Sequence, residues 1–197
     1  MLSGYKLKCH PVTIATAATI FHRFFREVDP SGYDKYLIAA TALYLAGKAR
    51  DENHKLRDVI NVTHNTLHRG SPPLELKEEY WNRRDAIVQA ELLIMRLLKF
   101  EITLNNPHKY LLHYLKTLQG WLPRDVWENI PLAQSSFAFL QDFHHSSTVL
   151  DYPPHIAAIG CIHLAMQCYG VQVPYIDETE DLMWYNVSFI LYLFHSV

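Results

Sequence analysis

Apolar positions between residues 11 and 29 recur at spacings of three and four: Ile14, Ala17, Ala18, Phe21, Phe24, Phe25 and Val28. That spacing marks one face of an amphipathic helix, opened by Pro11 and stopped by Pro30 and Gly32. Residues 36–47, YLIAATALYLAG, are apolar or small on every side, and their four alanines let neighbours approach closely. A helix of that kind belongs in the middle of a helical bundle. A shorter helical piece, RDVINVT at 57–63, precedes a loop around Gly70, Pro72 and Pro73, and a long helix runs from about Leu76 to Phe100. The pattern restarts after Pro107, with helices expected over 107–118, near 131–145 and near 154–169. No stretch of the first 170 residues alternates as a strand does.

The restart has the look of a repeat. At an offset of 119 residues, Ala39, Thr41, Ala42, Leu43, Leu45 and Ala46 fall on Ala158, Gly160, Cys161, Ile162, Leu164 and Ala165. Small or apolar residues thus meet their own kind along two central helices. We expect an all-α chain of two related units, 1–104 and 105–197, each built around a small-residue helix.

Two charged residues sit where the pattern calls for apolar ones. On the long helix, Glu91 and Arg84 fall in the middle of an arc running from Ile94 and Ile87 through Tyr80, Leu98 and Met95 to Val88, Trp81 and Leu92. A buried unpaired carboxylate costs several kcal/mol, so Glu91 is paired, or its stripe reaches a surface that another protein covers. An internal salt bridge is the plain reading. Lys48 is the natural counterpart, in line with Leu37, Thr41 and Tyr44 where the central helix loses its apolar character. As a structural residue it is a snorkelling lysine at a helix C-terminus. As a functional one it stands with Glu91 as donor and acceptor at the bundle edge, able to satisfy the free backbone groups of an incoming helix end.

Composition narrows the classes. The chain has 197 residues with 18 basic and 20 acidic side chains, a net charge of −2. The split is uneven: every Lys and Arg lies at or before Arg124, giving +6 for residues 1–124 and −8 for the remainder. Phosphate binding needs Lys or Arg, so nucleic acid is a poor partner for the second half. Three cysteines do not make a disulfide framework, and Cys161 and Cys168, two turns apart on one helix, cannot bridge. They read as buried thiols in a reducing, intracellular compartment. The N-terminal residues lack the apolar run of a signal sequence. The uncharged residues 182–197 are short for a bilayer span and read as a buried terminal segment.

Catalytic and metal motifs are missing. His64 and His68 have helical i, i+4 spacing, but no Glu follows His64 as in a zinc protease, and no CxxC pair supplies further ligands. Cys161, His163 and Cys168 are spread around their helix, and His108, His113, His144 and His145 read as surface or cap residues. There is no GxGxxG, GxxxxGK[ST] or GxSxG. No metal, cofactor, small-molecule substrate or enzymatic activity is expected.

An amphipathic helix, a small-residue central helix ending in Lys, a long helix with a mid-stripe Glu and a degenerate copy of the unit resemble the cyclin fold of two cyclin boxes. LIAATALYLAGKARDE (37–52) is similar to the most characteristic part of the first box, and ELLIMRLLKFEI (91–102) to the end of its last helix. The likeness covers roughly residues 10–174. Within the family, YLIAATALYLAGKA, RDVINV, LLIMRLLKFEI, NPHKYLLHYLKTL and YGVQVP are similar to the branch that partners cyclin-dependent kinase 10.

The resemblance implies a regulatory subunit, found in nucleus and cytoplasm, that binds and activates a cyclin-dependent serine/threonine kinase. Lys48 and Glu91 match the cyclin lysine and glutamate that hydrogen-bond the backbone around the kinase's mobile αC helix. Docking holds that helix inward, so that its Glu pairs with the ATP-anchoring Lys. Two departures from the pattern are expected: the first box lacks most of its first helix, and the second is incomplete at its C-terminus. A substrate-docking patch on that first helix is therefore not carried over. The alternatives are a transcription-type cyclin with another kinase, a non-kinase cyclin-fold adaptor of the transcription machinery, and a helical enzyme.

Overall fold

The computed structural model describes residues 1–172 apart from 53, 71, 73 and 103. Regular structure among the described residues is entirely helical: α1 (Leu2–Lys6), α2 (Pro11–Glu27), a 3₁₀ turn (Pro30–Gly32), α3 (Lys35–Ala49), α4 (Leu56–Leu67), α5 (Glu78–Leu97), α6 (His108–Trp121), α7 (Arg124–Asn129), α8 (Leu132–Phe143), a second 3₁₀ turn (Ser147–Leu150) and α9 (Pro154–Tyr169). The described residues form two compact units, one from residues 1–105 with 144–150, the other from 106–143 with 151–172.

In the first unit α3 is the hub, packed by α2, α4 and α5. Its start is set by Asp34, whose carboxylate accepts the Tyr36 amide at 2.9 Å, an N-cap bond that occupies one orphan donor of the first turn. Ile38, Ala40, Thr41, Ala42, Leu43, Leu45, Ala46 and Gly47 are all buried. The polar member, Thr41, donates its hydroxyl to the Leu37 carbonyl at 2.8 Å, so its burial leaves no unpaired group. Against this helix α2 lays Ile14, Ala17, Ile20 and Phe24, which span about three turns of its apolar face. Ala42 and Ala46 hold the contact close, as small residues at a helix crossing do.

The α3–α4 connection folds back on the end of α3. The Gly47 carbonyl accepts the Glu52 amide at 2.9 Å. A Cβ on Gly47 would stand 3.2 Å from the Glu52 carbonyl oxygen and 3.3 Å from the His54 ring, so glycine is what allows this approach. Asp51 takes φ 57° to make the turn, and Lys8, ahead of α2, takes φ 58°. Both occupy the left-handed region, which non-glycine residues adopt at some cost in free energy.

The second unit repeats the arrangement around α9, which packs against α8 and α6. Leu111, Tyr114, Leu118, Leu140, Ala158, Ile162 and Ala165 make its core. Gly170, at φ 64°, closes α9 with its amide on the Gln167 carbonyl, a left-handed glycine C-cap.

Several expectations change. The piece placed at 57–63 extends to Leu67; in its polar second half the Thr63 and Thr66 hydroxyls are satisfied within the helix, on the Val59 and Val62 carbonyls at 2.7 and 2.6 Å. The long helix begins at Glu78, with Glu78 and Glu79 complementing the dipole of its first turn, and ends at Leu97 before Lys99 and Phe100 turn at positive φ. The short α7 was hidden by Gly120 and Pro123, and none of its residues is buried. The buried terminal segment expected at 182–197 lies outside the described residues. No described helix is long and apolar enough to cross a membrane.

Candidate functional site

The outward corner between α3 and α5 holds both singled-out charges. Lys48 lies in the last turn of α3 and Glu91 in the second half of α5. The Lys48 ammonium donates to both Glu91 carboxylate oxygens, at 2.8 and 3.0 Å, and lies 4.4 Å from the centre of the Tyr44 ring one turn earlier. Its side chain is 49% exposed against 16% for Glu91, so water reaches the pair from the lysine side. Partial burial by itself lowers the Lys48 pKa, but the hydrogen bond and charge of Glu91, helped by Tyr44, outweigh it and leave the pKa raised. Lys48 is therefore an ammonium throughout the physiological range.

The arc on α5 proves to be two faces. Tyr80, Ile87, Ala90, Ile94 and Leu98 point inward, whereas Trp81, Val88 and Leu92 are 50%, 39% and 55% exposed. Glu91 sits on the boundary, which resolves the anomaly: its carboxylate need not enter the core. Arg84 lies on the outer face, 5.7 Å from the centre of the Trp81 ring and bonded to Asp85 at 3.1 Å. An ion pair thus borders an exposed apolar strip.

What the corner can do follows from how weak the pair is. A solvent-exposed ion pair contributes roughly 0–1 kcal/mol. Sharing it with an incoming group, Glu91 staying paired, is cheap for the fold. Lys48 has three N–H donors and Glu91 about four acceptor directions, more than the two satisfy in each other. The surplus can bind a backbone carbonyl and a backbone amide at a helix terminus, where those groups lack partners.

Other singled-out residues fall differently. His108 and His144 are not surface residues: they are 7% and 1% exposed. His108 opens α6 with its ring 6.3 Å from that of Phe137. His144 begins the segment 144–150 that completes the first unit, and its carbonyl lies 3.1 Å from the His22 ring nitrogen. Cys161 is buried, with burial pushing its thiol up to about 11, but Cys168 is exposed, a correction to the pair of buried thiols. The His64 and His68 rings lie 4.8 Å apart between centres, tilted 46° to each other. A denser cluster of ligating side chains lies elsewhere, at Cys9, Glu52 and His54. No local spacing announces it, since Cys9 meets the other two only when the chain ahead of α2 folds against the α3–α4 connection.

The corner therefore presents a cation–carboxylate pair beside an apolar strip at an exposed edge of two packed helices. The chain belongs to the cyclin family: the family model described as the cyclin N-terminal domain matches residues 2–103. It is 31% identical over 185 residues to Cyclin-T1-4 of Arabidopsis thaliana, covering 92% of this chain and 32% of that protein. To Cyclin-T2 of Homo sapiens it is 30% identical, over 93% of this chain and 24% of that one. To Cyclin-L1 of Homo sapiens it is 27% identical over 176 residues, 87% of this chain and 32% of the relative. The chain therefore spans about a quarter to a third of the length of these curated relatives.

Proposed function

We propose that this chain is a regulatory cyclin subunit that binds and activates a cyclin-dependent serine/threonine kinase, without catalysing a reaction itself. The observation that carries the reading is the Lys48–Glu91 pair at an exposed edge, beside Trp81, Val88 and Leu92. An incoming αC-type helix would lay apolar side chains on the strip and place its free backbone groups against the lysine and glutamate. Contact made only with the inward, active placement of that helix shifts the kinase toward it; contact made equally with both placements would shift nothing.

Cyclin-dependent kinase 10 is the first candidate partner. The runs YLIAATALYLAGKA, RDVINV and NPHKYLLHYLKTL support it through their similarity to cyclin Q, also called cyclin M. A second reading, a transcription-type cyclin with another kinase, is favoured by the matches to cyclins T and L. Capture of the tagged chain from lysate, with identification of the bound kinase, separates the two. A member of the cyclin-dependent family is expected, and absence of any protein kinase would refute the proposal. The adaptor alternative is opposed by the −8 charge of residues 125–197, and DNA binding at low salt would revive it.

A further inference from the structure

Three ligating atoms from two separate stretches of chain converge beside the start of α2. The Cys9 sulfur lies 3.2 Å from His54 Nε2, and that nitrogen lies 3.0 Å from Glu52 Oε2. All three atoms are within 4.8 Å of one another. Cys9 is 7% exposed, while the Glu52 and His54 side chains keep 24% and 21% of their surface in water. The cluster is walled by protein on the thiol side and open on the other.

Hydrogen bonding alone serves this arrangement poorly. Both short contacts of His54 run to the same ring nitrogen. If Nε2 carries the proton it can donate to Glu52, and the thiol then has no acceptor there. If Nε2 is bare it can accept from the thiol, and its lone pair then faces a carboxylate oxygen at 3.0 Å. A cation in the middle satisfies the sulfur, the nitrogen and the oxygen together. We propose that Cys9, Glu52 and His54 form a binding site for a borderline-soft divalent cation of the zinc class, with water in a fourth position.

The donor set fits that class. Thiolate, imidazole and carboxylate together suit Zn²⁺, with bonds of about 2.3 Å to sulfur and about 2.0–2.2 Å to nitrogen and oxygen. Those lengths put tetrahedral ligand atoms about 3.3–3.6 Å apart; the two contacts of His54, at 3.2 and 3.0 Å, fall a few tenths of an ångström short of that, and the sulfur and the carboxylate lie within 4.8 Å of each other, so side-chain rotations bring the three to that spacing. Glu52 is also oriented from behind. Its carboxylate accepts the Thr13 hydroxyl and the His10 amide, the latter at 3.2 and 3.3 Å to its two oxygens. Ligating carboxylates are commonly fixed by such outer hydrogen bonds.

Burial and the nearby Glu52 charge push the free Cys9 thiol up to about 11, so it is protonated without a cation. A bound dication reverses that balance; the thiol proton passes to the buffer and the sulfur binds as thiolate. The ion would tie the residues ahead of α2 to the turn that follows Lys48 and Arg50. This site is independent of the kinase-binding proposal, and either can fail alone.

The test uses the full chain, stripped with chelator and titrated with Co²⁺. One equivalent should bind with thiolate-to-cobalt charge-transfer absorption, and Zn²⁺ should displace it. Cys9→Ser should abolish that absorption and weaken Zn²⁺ binding by more than about 100-fold, while Cys168→Ser and His64→Gln leave both unchanged. Should Cys9→Ser unfold, His54→Gln, at a partly exposed side chain, should weaken Zn²⁺ binding at least about tenfold with the helical circular dichroism retained. Absence of saturable binding near one equivalent, absorption that survives Cys9→Ser in a folded protein, or undiminished affinity in His54→Gln would each overturn the site.

Discussion

The helices α3 and α9 run on matching sequence positions, yet their surroundings differ. Leu43 and Ile162, equivalent at an offset of 119, are both buried, as are Ala46 and Ala165. Leu45 is 2% exposed, but its counterpart Leu164 is 45% exposed, and Ile156 and Tyr169 are open as well. Among the described residues, the first unit wraps its central helix on more sides than the second. At the next matching place the chemistry parts too. Lys48 pairs with a carboxylate from another helix, whereas Gln167 bonds to His163 of its own helix at 3.0 Å. A small-residue central helix can therefore end without a lysine, so packing does not dictate Lys48. Partner contact is the role we propose for the ion pair there.

The sharpest way to break this comparison is one substitution at the two matching sites. Leu45→Asp should cost about 4 kcal/mol or more and unfold the first unit, because it buries an unpaired carboxylate. Leu164→Asp should stay within about 1 kcal/mol. Thermal melts followed by circular dichroism decide it; equal losses would mean that the two helices are covered alike. Next comes Gly4→Ala, whose new Cβ would stand 2.8 Å from Ile14 Cγ1. Overpacking of that kind costs about 1–3 kcal/mol, and an unchanged melting temperature would show that Ile14 moves aside freely.

Acid should loosen the first unit. Burial lowers the His22 pKa, partly opposed by the His144 carbonyl and reinforced by the His145 charge. Burial also lowers that of His64, with Arg83 and His68 adding and Glu79 opposing. Both rings are thus held neutral, while the unfolded chain takes up protons at the ordinary pKa of about 6.5. Stability contributed by these groups is intact above that pH, falls as pH drops toward the depressed folded values, and levels off below them. Chemical denaturation at pH 7.5, 6.5, 5.5 and 4.5 reads this, and His22→Gln should flatten the slope. The smallest effect is expected for Gln167→Ala, within about 0.5 kcal/mol, since its bond to His163 is exposed.

What could be read from the sequence was what local periodicity encodes. The bounds of α9 follow from Pro154 and Gly170, and α2 and α3 from their apolar spacing and the breakers between them. The Lys48–Glu91 pair was legible because a charge within an apolar stripe is an anomaly visible without a structure. Division of the α5 arc into inward and outward faces was not, since period alone cannot say which half meets the core. Nor was the burial of His144, which depends on a segment 122 residues from His22 packing against the first unit. Cys9 and His54, 45 residues apart, share no spacing rule and meet only in the folded chain.

In the function proposed above, Lys48 and Glu91 grip a kinase. Exchanging them, Lys48→Glu with Glu91→Lys, keeps an ion pair between α3 and α5 and reverses what is offered to the partner. The melting temperature should hold to within about 1 kcal/mol of stability. Quantitative co-purification of the kinase with the wild-type and exchanged chains is the direct measurement. Loss of the kinase from a folded exchanged chain is the predicted result, and undiminished co-purification would contradict the claim.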